Sequence, residues 1–283
     1  MKNKAPGEDG ITSVIYNQAF KTVPTFITAI YNSCLKLGIF PAIWKKAKLI
    51  PIVKPGKESS YEVSKYRPIS LLNIGGKVLE KLMINRINHH IHTKEHINKN
   101  QYGFRPQKST IDAVMALKVY VDEGCSSGEV TVLISLDVEC AFSSAWWPSI
   151  LKSLKDIECP GNLQKMTTSY FSNRLATLQS NNIKLEKEIS RGCPQGSCCG
   201  PGLWNTFYNP LLNLNYTSRT KTIAFADDFI LATRGKTVIE AVNITNTKLT
   251  KIAAWATATN FTLMNKSPRQ CYYQEENAMN GRI

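Results

Sequence analysis

The sequence has no apolar run near the roughly 18 residues that a bilayer span needs, and its first residues, Met1-Lys2-Asn3-Lys4, lead almost at once into Pro6-Gly7 with no secretory leader. Both absences speak against a membrane-embedded or secreted protein. The eight cysteines stand at positions 34, 125, 140, 159, 193, 198, 199 and 271 without a repeated CxxC, so a zinc ribbon has no support. Adjacent Cys198 and Cys199 suit a disulfide framework poorly, and reduced thiols in a cytosolic or nuclear protein fit better. All four histidines crowd between His89 and His96. His92 and His96 have a spacing that can bind zinc on a helix, although a solvated helix face explains them more simply. Acidic residues are scarce, with 21 Asp+Glu against 35 Lys+Arg and a formal charge of +14. Such an excess asks for a polyanionic partner, most commonly nucleic acid, with solubility as the plain alternative. Internal repeats and low-complexity tracts are missing. With 283 residues and 43% hydrophobic content, the chain can bury the core of one large domain or two small ones.

What is present reads as a mixed α/β chain. Residues 11–38 have a helical pattern broken at Pro24, and Lys48–Val53 reads as a strand ending in Pro55-Gly56. A strong helix starts near Gly76, with Leu79, Leu82, Met83, Ile87 and Ile91 at helical spacing. Ser109 followed by Asp112 has the form of a capping box for the next helix. Val130–Leu136 is a buried strand with a carboxylate, Asp137, at its C-terminal end. Trp147–Ile157 and the segment after Gly161 read as helices; Trp146-Trp147 could stack bases, though core packing is the simpler role. Residues 175–180 and 183–189 flank a hairpin turn at Asn181-Asn182. Residues 238–256 form a last amphipathic helix, and the sequence beyond Lys266 is polar and irregular.

The chemistry gathers at Asp227-Asp228, which interrupts two apolar runs, Ile223–Ala226 and Phe229–Ala232, at a hairpin tip. Turn propensity alone could place Asp there. Two adjacent like charges repel, however, and a divalent cation would offset that repulsion. If the strand ending at Asp137 neighbours this hairpin, three carboxylates meet at one sheet edge. Hard oxygen donors of this kind suit Mg²⁺, and a two-metal arrangement serves phosphoryl transfer.

FADD at 225–228, LDVECAF at 136–142 and RGCPQGSCCGP at 191–201 resemble the palm motifs of reverse transcriptases. KAPGEDGI (4–11), WKKAKLIPIVKPGK (44–57), YRPISLL (66–72) and QYGFRPQKST (101–110) follow the same family in the same order. The chain is similar to the non-LTR, LINE-type elements, in their Jockey-related group, over roughly residues 2–265. The resemblance implies a right-hand polymerase of α/β class, with fingers and a palm of antiparallel strands backed by helices. It divides the chain into residues 1–128 (fingers and N-terminal motifs), 129–265 (palm, with 147–190 linking to the fingers) and a 266–283 tail. The implied activity is RNA-directed DNA synthesis with Mg²⁺, or Mn²⁺ in its place, on an RNA template with a DNA primer and dNTPs. The implied setting is a retroelement ribonucleoprotein of nucleus and cytoplasm. By motif, Asp137, Asp227 and Asp228 are the catalytic, metal-binding carboxylates. Phe142 falls at the aromatic gate against the 2′-OH, Gln195 and Gly196 line the nucleotide pocket, and Arg67 and Lys65 face the incoming triphosphate. Lys45, Lys46, Lys48, Lys54 and Arg105 supply nucleic-acid contacts. Cys193, Cys198 and Cys199 pack the pocket motif.

The sequence departs from the family at three places. Ser143 follows Phe142 where Asp is usual. The segment after Phe261 (LMNKSPRQCYY) is aberrant, which puts Lys266 as a proton donor in doubt. No thumb follows the palm motifs, and no apurinic-type endonuclease precedes them, so a fragment or decayed copy that binds nucleic acid without catalysis is the competing expectation.

Overall fold

The computed structural model describes residues 5–56, 62–136, 141–180, 183–262 and 269–273. In chain order its elements are α1 (Ser13–Thr22), α2 (Pro24–Leu37), β1 (Lys46–Val53), β2 (Tyr66–Leu72), α3 (Ile74–Thr93), α4 (Thr110–Ser126), β3 (Val130–Leu136), the single turn α5 (Ala141–Ser144), α6 (Trp147–Asp156), α7 (Gly161–Phe171), β4 (Arg174–Ser180), β5 (Ile183–Ile189), α8 (Gly200–Leu212), β6 (Thr220–Phe225), β7 (Asp228–Gly235), α9 (Val238–Ala258) and β8 (Arg269–Tyr273). Local chemistry sets several ends. Pro24 has no N–H to lose and opens α2 at its first position. Gly38 closes that helix at φ 69°, where a side chain would be strained. At the start of α4, Ser109 accepts the N–H of Asp112 while the Asp112 carboxylate accepts the N–H of Ser109, so the expected capping box is realised.

The chain divides into two compact units, Met1–His96 with Phe142–Phe207, and Ile97–Ala141 with Tyr208–Ile283. This division differs from a boundary at residue 129, and strand pairing gives the reason. In the first unit β1 pairs antiparallel with β2 and parallel with β4, and β4 carries β5, giving the order β2-β1-β4-β5. The 174–189 hairpin is therefore an integral half of that sheet. Its turn, Asn181-Asn182, lies outside the described residues. The helix α3 supplies the core of this unit: Leu79, Met83 and Ile87 are fully buried, each contributing about 1.5–3 kcal/mol through burial. Leu82, expected on the same stripe, is only half-buried.

In the second unit the sheet runs β6-β7-β3-β8 and is antiparallel throughout. The helix α9 packs on β7 and β3, and α4 packs on β6 and β3. Residues 97–126 thus belong with the carboxylate-bearing sheet. The segment beyond Lys266, read from sequence as irregular, contains a strand: β8 pairs with β3 from Thr131↔Tyr273 to Ser135↔Arg269. The β3 edge away from β7 offers backbone groups that need partners, and β8 supplies them.

Candidate active site

The register of β6 and β7 runs from Thr220↔Thr233 to Phe225↔Asp228, so their connection is the two residues Ala226-Asp227. Ala226 sits at φ 57°. Positive φ at the first central residue is what a type II′ hairpin turn uses, normally with glycine there. Asp227 is half-buried and Asp228 is exposed. Beneath them, the fully buried Tyr208 of α8 donates its hydroxyl to the Asp227 carbonyl at 3.5 Å, and its ring stands edge-on to Phe229. Burial, and then the negative charges of Asp227 and Asp228, push the Tyr208 hydroxyl well above its ordinary value. It stays a neutral donor that steadies the turn.

The turn has a second support that sequence reading treated only as a motif. Residues 100–103 lie along the open side of β6: Ala224 N–H donates to Asn100 O (3.0 Å), and Tyr102 N–H donates to Ala224 O (2.8 Å). Gly103 then passes so close that a Cβ on it would lie 2.0 Å from the Ala226 nitrogen and 2.8 Å from its Cα. The buried Gln101 accepts the N–H of Gly103 through its side-chain oxygen at 3.2 Å. Arg105, expected to touch nucleic acid, donates through Nη1 to the carbonyls of Asn98 (2.9 Å) and Gln101 (3.4 Å). Burial lowers its pKa. These bonds, with the Gln101 N–H on the same Asn98 carbonyl at 3.1 Å, fold the segment back on itself.

β3 lies beside β7, and Leu136 pairs with Phe229, the residue after Asp228. Asp137 follows Leu136 directly and lies outside the described residues. Among the described residues no group of three His, Cys, Asp or Glu side chains could hold a metal ion. The two turn carboxylates nonetheless fit one, since they are hard oxygen donors side by side at an open turn.

The first unit carries the other predicted residues. Its loop 191–199 is fixed at both ends. Gly192 N–H donates to Ala145 O (2.7 Å), Cys193 N–H donates to Phe142 O (2.6 Å), and Ser70 N–H donates to Gln195 O (2.8 Å). Gly196 has φ 95°, a conformation that favours glycine, and a Cβ there would crowd Ser70 O at 3.1 Å. The Phe142 ring is half-buried and stacks on the fully buried Trp204 at 5.1 Å and 22°. A cavity of about 470 Å³ lies against this loop, walled by Ala47, Leu49, Pro68, Ser70, Arg174 and Gln195 among others. Cys193 and Cys199 are buried thiols; burial pushes Cys193 up to about 12, so both pack and neither reacts.

Sequence reading missed Glu80, whose carboxylate is the hub of this loop. It lies in α3 at 1% exposure, accepts the Tyr170 hydroxyl at 2.6 Å and accepts the Cys198 N–H at 2.9 Å. A charged residue on an otherwise apolar helical stripe was the available signal. Burial pushes the Glu80 carboxyl up, opposed by the Tyr170 hydrogen bond, the Arg174 charge and the Cys198 N–H.

The predicted cations do not act as one group. Arg67 is exposed on β2, opposite Ile52. Lys65 pairs with Glu62 at 3.4 Å, and its carbonyl accepts the Lys54 N–H, closing the β1–β2 end. Lys46 and Lys48 are half-buried along β1. Lys45 is only 8% exposed; burial, and then the Arg174 charge, lower its pKa, so it does not belong to an open cationic surface. Trp147 is core, stacked on Phe171 at 4.7 Å with its indole N–H on Gly192 O. His96 falls beyond the end of α3 at Thr93, so His92 and His96 do not share a helix face.

Residues 52–271 match the reverse transcriptase (RNA-dependent DNA polymerase) family. The chain belongs to that family. The family works with divalent metal ions. Among similar curated proteins is the putative 115 kDa protein in type-1 retrotransposable element R1DM of Drosophila melanogaster, 32% identical over 82% of this chain and 22% of that protein. The RNA-directed DNA polymerase from mobile element jockey of Drosophila melanogaster is 31% identical over 89% of this chain and 28% of its own length. The non-LTR, Jockey-related kinship expected from the motifs is thus met. The chain spans roughly a quarter of these relatives, between 22% and 28% of each. Among solved structures, the apo telomerase from Candida tropicalis truncated from its C-terminal domain has a TM-score of 0.60 at 10% identity, over 90% of this chain and 56% of that one. That likeness concerns the fold, an α/β arrangement consistent with polymerase fingers and palm.

Proposed function

We propose that this reverse transcriptase domain adds dNTPs to a DNA primer 3′-OH on an RNA template. The observation that carries the reading is the strained Ala226-Asp227 turn, which sets two carboxylates at one sheet edge beside the strand that runs into Asp137. On this reading the β6-β7-β3-β8 unit is the palm, and Asp137, Asp227 and Asp228 hold Mg²⁺, or Mn²⁺ in its place. The bound ions would supply Lewis acidity for the attacking and leaving oxygens. The chain's own residues do the positioning. Tyr208 and the 100–103 segment fix the turn. Phe142, held against Trp204, takes the family motif's role of gate against a ribose 2′-OH. Gln195 and Gly196 present backbone to the base and sugar, while Arg67 and Lys65 face the triphosphate and Lys46, Lys48 and Lys54 the nucleic-acid backbone. The setting we propose is an intracellular retroelement ribonucleoprotein of nucleus and cytoplasm.

Asp227→Asn and Asp137→Asn test the assignment. Each should abolish primer extension in Mg²⁺ while RNA binding, which rests on Lys and Arg contacts with phosphate, stays nearly unchanged. Extension that survives either change overturns the assignment. Binding without extension in the unaltered chain would favour the reading as a non-catalytic nucleic-acid-binding remnant.

A further inference from the structure

Three lysines are spread along the open side of β6. Lys221 is the second residue of β6 and is half-buried. Lys99 is exposed and immediately precedes Asn100, whose carbonyl accepts the Ala224 N–H of the same strand. Lys108 is exposed, and its ammonium lies 4.6 Å from the centroid of the Tyr102 ring, while the Tyr102 N–H is bonded to Ala224 O. Backbone pairing therefore draws all three cations to one stretch of edge. None of them forms an ion pair among the described residues. Two acids lie near them, each with a closer partner: Glu123 pairs with Arg234 at 3.0 Å, and Asp112, which also feels the Lys108 charge, bonds Ser109 in the cap of α4. Burial, and then the charges of Lys99 and Lys108, lower the pKa of Lys221, with Glu123 acting in the opposite sense. Gathering like charges opposes folding, so a linear polyanion is the partner that makes the arrangement favourable.

We propose that Lys99, Lys108 and Lys221 form a phosphate-backbone contact for the bound nucleic acid, separate from the carboxylate turn. Four residues of strand separate Lys221 from Phe225, where β6 gives way to the turn, about 13 Å at roughly 3.3 Å per residue. Nucleic acid advances about 3.4 Å per nucleotide along a duplex axis. The contact would reach to about four nucleotides from the turn, where it fixes register without reading sequence. This rests on the polymerase reading above.

The test is equilibrium binding of the full chain to a short RNA–DNA hybrid by fluorescence anisotropy, from about 50 to about 200 mM salt. Each phosphate contact contributes about 0.7–0.9 to the slope of log K against log salt. The triple change Lys99→Gln, Lys108→Gln, Lys221→Gln should make the slope shallower by about 2–3, and the corresponding triple change to Arg should keep it. Lys21→Gln, Lys36→Gln, Lys155→Gln removes the same charge from exposed positions on α1, α2 and α6, and should leave the slope unchanged. An unaltered slope in the first triple variant, or an equal loss in the second, overturns the site. If the unaltered chain binds the hybrid, either result leaves the polymerase reading standing. If the unaltered chain shows no salt-dependent binding at all, site and polymerase reading fall together.

Discussion

Replacing Gly103 by alanine tests whether the carboxylate turn is held in place by the segment that runs beside it. Gly103 is not among the glycines with positive φ, so alanine could adopt its backbone conformation. The obstacle is space. The new Cβ would lie 2.0 Å from the Ala226 nitrogen, and real Cβ contacts below 3.0 Å essentially never occur. The obstructing atoms are backbone, with no flexible side chain to swing aside. Either the 100–103 segment or the Ala226-Asp227 turn must therefore move by about 1 Å. A displacement of about 1 Å at a reacting centre can cost about a hundredfold in rate, or about 2.7 kcal/mol of barrier. Overpacking of this kind also costs about 1–3 kcal/mol of stability. The assay is single-turnover primer extension at saturating dNTP, with melting temperature and template affinity measured on the same preparation. Gly103→Ala should retain template binding and lose rate by about two orders of magnitude. A variant that extends at the original rate while carrying the methyl group would show that the segment yields freely and does not position the carboxylates.

Phe142→Ala should raise the efficiency of rNTP relative to dNTP incorporation on the order of tenfold, the scale at which one hydrophobic contact discriminates; an unchanged ratio of kcat/KM values would return Phe142 to simple packing on Trp204. Glu80→Gln should flatten part of the dependence of melting temperature on pH. Burial raises the folded-state pKa of Glu80 above its unfolded value, so its contribution to stability is full below the ordinary carboxylate range and is lost as pH rises through the raised value. A variant whose melting temperature keeps the original pH slope would refute this. Asp227→Asn, besides losing extension, should melt about 1–3 °C higher than the unaltered chain in a chelator, because one of two adjacent charges is gone; a lower melting temperature would mean that the turn is not strained by repulsion.

Much of the fold was legible because hydrophobic period and turn chemistry are local. The α3 stripe, the Ser109–Asp112 cap and the β6–β7 hairpin each announce themselves within a few residues. The division of the chain was not legible, because it depends on β1 pairing parallel with β4, a partner more than 120 residues away, and no local pattern encodes that choice. β8 was missed for the opposite reason. Its five residues sit in a polar stretch and become a strand through the open edge of β3. At the site, the residue types of the carboxylates and of Phe142 were readable, but their supports were not. Gly103 carries no chemical group to notice, and its importance is an absence of volume next to Ala226. For Arg105 and Lys45 positive charge gave no hint of their surroundings: one bonds backbone carbonyls and the other is buried.

The β6–β7 turn would not be chosen for stability. A two-residue hairpin is best served by Asn-Gly or by glycine at its first position, and here it carries alanine at φ 57°, at a cost of roughly 1–2 kcal/mol. The next two residues are like charges, which adds repulsion in the absence of a cation. Against this, the flanking strands are apolar and deeply buried: Ile223, Phe229 and Leu231 are each no more than 3% exposed. The hairpin is thus held by its strands and by two neighbours, Tyr208 from below and residues 100–103 from the side, while its own turn opposes it. Strain with rigid support is the arrangement expected where local stability is given up to hold a group in a working position. The groups so held are the carboxylates.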